Sequence, residues 1–140
     1  MKTPDLVETN TAPSPQVAQA ILKAVAYADI FDQALTLGEI ARFMIGASVP
    51  PDALREILRD ATPLGGRLGR SNGFYFLEGR EPVVAITERR RAIADVKWRR
   101  ARYWARWMAR LPFVRMVAVT GSLAVSNVEA EDDLDFLIVT

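Results

Sequence analysis

Neither cysteine nor histidine occurs anywhere in the 140 residues. The first absence removes disulfides, thiolate zinc sites and cysteine nucleophiles. The second removes the Ser-His-Asp triad, a histidine general base and imidazole metal ligands. Any metal must then be held by oxygen, which favours Mg2+, Mn2+ or Ca2+ over zinc or copper. Long apolar runs are missing too, and no stretch approaches the length of a membrane span. The opening MKTPDLVETNTAPSPQ sets no apolar core behind Lys2, as a signal peptide would require. The expectation is a cytoplasmic chain with no membrane partner. Charge of one sign is not in excess, since the net charge is +1, so the overall balance points to no partner. What is present is apolar: hydrophobic residues make up 50% of the chain, enough for it to fold. The length suits one domain, or a small domain and part of another.

Residues 1–14 carry Thr, Pro, Ser, Asn and Glu without apolar periodicity and read as a flexible tail. From Pro15, the residues Val17, Ala20, Ile21, Ala24, Ala28 and Phe31 recur at steps of three and four, which predicts a helix through about Phe31. Thr36-Leu37-Gly38-Glu39 is a capping box, so a second helix should follow with Leu37, Ile40, Ala41 and Met44 inward and Gly46 as its stop. Pro50 and Pro51 introduce a third helix that turns Leu54, Ile57, Leu58 and Ala61 inward. Asn72-Gly73 between the runs Arg67–Arg70 and Phe74–Leu77 is a strong hairpin signal, because both turn residues accept positive φ. Three helices and a hairpin resemble a winged helix-turn-helix domain, expected over 15–82. That resemblance implies DNA contact through the third helix and the wing. The third helix, however, sets Arg55 and Arg59 against Asp52, Glu56 and Asp60, and the wing offers only Arg67, Arg70 and Arg80. A structural or protein-docking role for this domain stands beside the nucleic-acid role.

Basic charge gathers in the next segment, a helical pattern over about 84–111 that Pro112 ends, taken as a linker helix over 83–111. Nine basic side chains (Arg89, Arg90, Arg91, Lys97, Arg99, Arg100, Arg102, Arg106, Arg110) stand against Glu88 and Asp95, a net +7. Its inward side is expected to hold Ile86, Ile93, Val96, Trp104, Trp107 and Leu111. Basic residues interleaved with Trp98, Tyr103, Trp104 and Trp107 suit a nucleic-acid backbone and stacked bases. The competing expectation is that arginine stems cover the helix while the aromatics pack against the flanking domains. A nucleic acid or an acidic partner is the expected ligand of this helix.

The last stretch, Phe113–Thr140, reads as a strand, a Gly121-Ser122 turn into a short helix, an acidic loop, and a second strand beginning Asp133-Leu134-Asp135-Phe136. Alternation along that strand points Asp133 and Asp135 together and sends Leu134 and Phe136 into the core. Two carboxylates so placed raise one pKa or demand a cation, for which Mg2+ is suited. Free backbone N–H groups at Gly121 and Ser122 suit an anion. A metal and an anion site side by side suggest a metal-bound phosphate.

The order apolar-Gly-Ser, ten residues, then Asp-apolar-Asp-apolar resembles the signature of the DNA polymerase beta-type nucleotidyltransferase superfamily, carried here by Gly121, Ser122, Asp133 and Asp135. The resemblance implies that Gly121 and Ser122 bind the phosphates of a nucleoside triphosphate and that Asp133 and Asp135 are catalytic ligands of two Mg2+ ions. It further implies transfer of a nucleoside monophosphate to a hydroxyl with release of pyrophosphate. Many members carry Gly where Ser126 stands and Ser where Asp132 stands, and the family takes a third carboxylate from a later strand. Two strands and one short helix leave an open edge and an uncovered face, so the chain is expected to be the front of a longer protein, with 112–140 the start of the nucleotidyltransferase domain. The fold expectation is α+β: winged helix, basic linker helix, then a strand-helix-strand unit. The alternative is a winged-helix nucleic-acid-binding or regulatory module with an inactive nucleotidyltransferase-like part.

Overall fold

The computed structural model describes residues 13–59 and 64–140. The expectation of a tail over 1–14 therefore falls almost wholly outside the described residues, as does Ala61. Among those described, the chain is mixed α and β, with five helices and two small antiparallel sheets. It divides into two compact units, one of residues through Ile30 with Ala34–Glu81, the other of Phe31–Gln33 with Pro82–Thr140.

In the first unit, α1 (Pro15–Asp29) starts where the Ser14 hydroxyl accepts a hydrogen bond from the Val17 N–H and Pro15 occupies the first turn. Its buried stripe is Ala20, Ile21, Ala24, Val25 and Ala28. The helix stops short of Phe31, which is exposed, because Asp32 takes a left-handed backbone at φ 49° and turns the chain away. The strand β1 (Leu35–Thr36) leads into α2 (Leu37–Phe43) through the capping box. There the Glu39 N–H donates to Thr36 Oγ1 at 3.3 Å, while the Thr36 N–H donates to Glu39 Oε2 at 2.8 Å. Gly46 is not the stop: Met44 is already extended (φ −60°, ψ 131°), and Gly46 lies in the loop beyond. Ala41 is exposed, while Ile40 is buried and Leu37 and Met44 pack against the core. The helix α3 (Pro51–Arg59) buries Leu54, Ile57 and Leu58.

The strands β2 (Leu68–Ser71) and β3 (Phe74–Leu77) pair antiparallel from Leu68↔Leu77 to Ser71↔Phe74, and β1 joins the other side of β3. Asn72 (φ 51°) and Gly73 (φ 79°) both adopt the left-handed region, the two-residue turn whose twist matches that of the strands. Ile21, Val25, Leu35, Ile40, Leu54 and Leu58 form the centre of this unit's core.

In the second unit, α4 (Pro82–Met108) runs 27 residues, and Arg110 falls beyond its end. Its inward side differs from the sequence expectation. Val96, Trp104, Trp107 and Leu111 are exposed, and the buried positions further along are the small residues Ala94 and Ala101. The physical reason is the spacing: Ala94 and Ala101 are seven apart and fall on one face, where short side chains allow close approach, which turns the bulky aromatics outward. Tyr103, expected with the tryptophans to pack against flanking parts of the chain, is likewise exposed. Trp98 does pack, with Ile93, against the second core of Ala94, Ala101, Leu123 and Val128.

The strand β4 (Met116–Val119) leads to the short helix α5 (Gly121–Ala124), and β5 (Phe136–Val139) returns antiparallel to β4 from Met116↔Val139 to Val119↔Phe136. The strand begins at Phe136 rather than Asp133, because β4 ends at Val119 and the chain turns into α5, leaving the residues before Phe136 without a ladder partner. One contact continues past the ladder, from the Thr120 N–H to the Asp135 carbonyl oxygen at 3.0 Å. Leu137, Ile138 and Val139 stay exposed on this two-stranded sheet.

Candidate functional site

The turn after β4 brings Gly121 against Asp135. Gly121 is at φ 69°, a conformation that favours glycine. A Cβ built on it would collide with Asp135 Oδ2 and lie 3.2 Å from Asp135 Cγ. The backbone of the Gly-Ser turn and the Asp135 carboxylate are thus in direct apposition. Only glycine allows that approach. Leu134 and Phe136 pack against Leu123 and Val128, and the exposed Asp133 and Asp135 alternate with them, so the expected alternation is present although the ladder starts three residues later than expected, at Phe136.

The hydroxyl of Ser122 is already committed: it donates to Asp132 Oδ2 at 3.0 Å. The same oxygen accepts the Glu129 N–H at 3.0 Å, and the Lys97 ammonium donates to the Asp132 carbonyl oxygen. The Glu129 N–H first, then the Ser122 hydroxyl, with the nearby Lys97 and Arg90 charges adding to them, hold the Asp132 carboxyl below its ordinary value. At Ser122 the structure thus brings a third acidic residue to the turn, one that the sequence reading had placed only as a neighbour of the motif.

The acidic loop itself is anchored to α4 by arginine. Arg90 Nε donates to Glu129 Oε1 at 2.7 Å, and its Nη1 donates to Asn127 Oδ1 at 3.0 Å and to the Phe31 carbonyl oxygen at 2.9 Å. Arg89 Nη2 adds bonds of 3.1 and 3.0 Å to the two Glu129 oxygens. The Asn127 amide donates to the Phe31 carbonyl at 3.0 Å, and the Gln33 amide donates to the Val125 carbonyl at 3.2 Å. The segment 31–33 therefore holds the start of the loop, and Arg90 holds its middle. No sequence signal could have found this clamp, because Phe31 lies 59 residues from Arg90 and the intervening pattern is ordinary helix and strand.

The Arg90 hydrogen bond, with the charges of Arg89 and Arg90, holds the Glu129 carboxyl below the ordinary glutamate value. A depressed pKa contributes stability above the unfolded value and loses it as pH falls through the folded value. The loop anchor is accordingly expected to be complete at neutral and mildly acidic pH, and to release only below the ordinary glutamate range. Carboxyl-carbon NMR titration checks this: the Glu129 midpoint lies below that of a free glutamate and moves back up in Arg90→Met. A midpoint unchanged by that substitution contradicts the assignment of the clamp.

Among the described residues no group of three or more Asp or Glu side chains is arranged to hold a metal ion. The donor set of Asp133 and Asp135 nevertheless suits Mg2+, a hard ion that commonly takes one or two carboxylates and completes its shell with water and substrate phosphates. No family model, curated protein or solved structure matches the chain.

Proposed function

We propose that the chain carries the nucleotide-binding face of a Mg2+-dependent nucleotidyltransferase, acting on a nucleoside triphosphate and a hydroxyl acceptor. The observation that carries this reading is the apposition of the Gly121 backbone and the Asp135 carboxylate, with Asp133 beside it and both acids exposed. Asp133 and Asp135 would hold Mg2+, and the Gly121-Ser122 turn would seat the phosphates. When bound, Mg2+ supplies charge neutralisation and orientation for an in-line displacement. In that displacement the acceptor oxygen forms a bond to the α-phosphorus, the bond from the α-phosphorus to the oxygen bridging it to the β-phosphate breaks, and pyrophosphate leaves. The acceptor proton passes to solvent. Lys97, Arg89 and Arg90 keep the acidic loop in register with this turn, so that Asp133 is presented rather than free to swing.

In this reading the first unit is a winged helix used for structure or docking. Its third helix pairs Arg55 with Asp52 at 2.6 Å and Arg59 with Glu56 at 3.1 Å, which leaves little net attraction for DNA phosphates. Arg80, on the proposed wing, is paired with Asp29 at 2.9 Å. The second reading, a regulatory or nucleic-acid-binding module with an inactive nucleotidyltransferase-like part, is favoured by one observation: the Ser122 hydroxyl is taken by Asp132.

Pyrophosphate release separates the two. The full chain is incubated with each of the four nucleoside triphosphates in Mg2+ or in EDTA, alongside Asp133→Ala. The enzyme reading expects release only with Mg2+ and its loss in Asp133→Ala. Release that is absent from the folded protein, or indifferent to that substitution, sinks it.

A further inference from the structure

The aromatic residues that turn outward on α4 form an ordered surface. Lys97, Arg100, Trp104 and Trp107 succeed one another at steps of three and four, which places them along one flank of the helix. Tyr103 stands edge-on to both tryptophans, with ring centroids 5.4 Å from Trp104 and 6.4 Å from Trp107. The three rings are 55%, 48% and 52% exposed for Tyr103, Trp104 and Trp107. The Arg110 guanidinium lies 5.2 Å from the centre of the Trp107 ring. Three large aromatic rings held half out of water beside arginines are costly to leave so, and they are not scattered singly.

The charge along this part of α4 is of one sign. Between Asp95 and Glu129 the chain contains no acidic residue; Lys97 and Arg100 lie on the flank itself and Arg110 at its Trp107 end, while Arg99, Arg102 and Arg106 lie on other sides of the helix. The surface therefore complements a polyanion, and its rings complement flat apolar groups. A single-stranded nucleic acid offers both at once, with phosphates for the arginines and base faces for the tryptophans. An acidic peptide offers the charge without the regular stacking faces. A duplex keeps its bases paired inside. From Lys97 to Trp107 the helix rises about 15 Å, which spans about four phosphates at the per-strand spacing of a nucleic acid.

One end of this flank is tied to the candidate site. Lys97 donates its hydrogen bond to the Asp132 carbonyl, one residue before Asp133. We infer that the flank from Lys97 to Arg110 binds a single-stranded nucleic acid, and that this strand is the hydroxyl acceptor of the proposed transfer. The acceptor assignment rests on the nucleotidyltransferase reading, whereas the binding surface rests on α4 alone. The strand would lie along Trp107, Trp104 and Arg100, with one end brought to Asp133 through the contact at Lys97.

Fluorescence anisotropy of the full chain with fluorescein-labelled 15-mers of deoxythymidine and of uridine, and with a blunt duplex, tests the surface. The buffer contains EDTA and no nucleotide, so that the result is independent of Asp133. The single strands are expected to bind more tightly than the duplex, with tryptophan emission quenched and a log–log salt slope of about −2 to −3.5 for about three to five neutralised phosphates. The pair of DNA and RNA arms identifies which sugar is preferred. Trp104→Ala and Trp107→Ala should each weaken binding about fivefold or more, and Arg100→Gln with Arg110→Gln should flatten the salt slope. All four side chains are exposed or half-exposed, and far-UV circular dichroism confirms that each variant is folded. Equal affinity for duplex, polyglutamate or anionic vesicles, or affinity indifferent to both tryptophans, overturns the inference.

The acceptor role is read from pyrophosphate release in Mg2+. Addition of the bound single strand should accelerate release in the wild type and not in the Trp104→Ala, Trp107→Ala double variant. Release that ignores the strand overturns the acceptor assignment and leaves the nucleotidyltransferase reading standing. Strand binding with no release from any nucleotide sinks that reading, and the acceptor assignment with it.

Discussion

Gly121→Val is expected to lower stability by about 2–4 kcal/mol, combining a forced left-handed backbone for a β-branched residue with a steric collision. The residue sits at φ 69°, and its missing Cβ is the space that Asp135 Oδ2 occupies. A side chain there has two ways out, and both cost the site. Either the turn moves, which breaks the Thr120 to Asp135 hydrogen bond, or the Asp135 carboxylate rotates away from the turn. Gly121→Ala should show the same direction with a smaller loss, since alanine tolerates positive φ better than valine. Urea denaturation measures the stability change, and Mg2+-dependent nucleotide binding by whatever fraction stays folded measures the site. A valine variant with the wild-type midpoint and wild-type binding would show that the apposition of Gly121 and Asp135 is not required.

Leu123→Ala should cost about 2–5 kcal/mol, the range for removing a large buried aliphatic side chain. The second core is small: Leu123 is its largest fully buried side chain, and the rest of its buried set is Ala94, Ala101 and Val128. The buried α4 residues beside it are alanines, too short to extend into the space left behind, so any repacking falls to the partly buried Ile93, Trp98, Leu134 and Phe136. Leu123 also directly follows Ser122, so its loss loosens the turn along with the core. Thermal or urea unfolding followed by tryptophan fluorescence, in which Trp98 reports on this core, reads the change. A shift in midpoint equivalent to less than 1 kcal/mol, a threshold typical of surface sites, would contradict the placement of Leu123 at the centre of that core.

Local chemistry made much of this fold legible from the residues. The capping box at Thr36 and Glu39, the Asn72-Gly73 hairpin and the inward Leu54, Ile57 and Leu58 of α3 depend on neighbours within four positions, and each is present. The alternation of Leu134 and Phe136 with the two acids was equally local. Where the outcome depended on what packs from far away, the reading failed. Hydrophobicity alone assigned Trp104 and Trp107 to the inward side of α4, but close approach of α5 selected Ala94 and Ala101 for that side instead. The ends of α1 and α2 also differ from expectation, since the local backbones of Asp32 and Met44, rather than the nearest large apolar residue or glycine, close those segments. At the site, the motif residues were visible in sequence, while the Arg90 clamp and the Ser122 to Asp132 bond were not, because they join side chains through folding and not through spacing.

Calorimetric titration of ATP, GTP, CTP and UTP into the full chain, in Mg2+ and in EDTA, tests the nucleotidyltransferase reading most directly. The account predicts that one or more nucleotides bind only in the presence of Mg2+, and that Asp133→Ala and Asp135→Ala each abolish that binding while the protein stays folded. Binding that persists in EDTA and in both variants, or no binding by a folded protein, would contradict it.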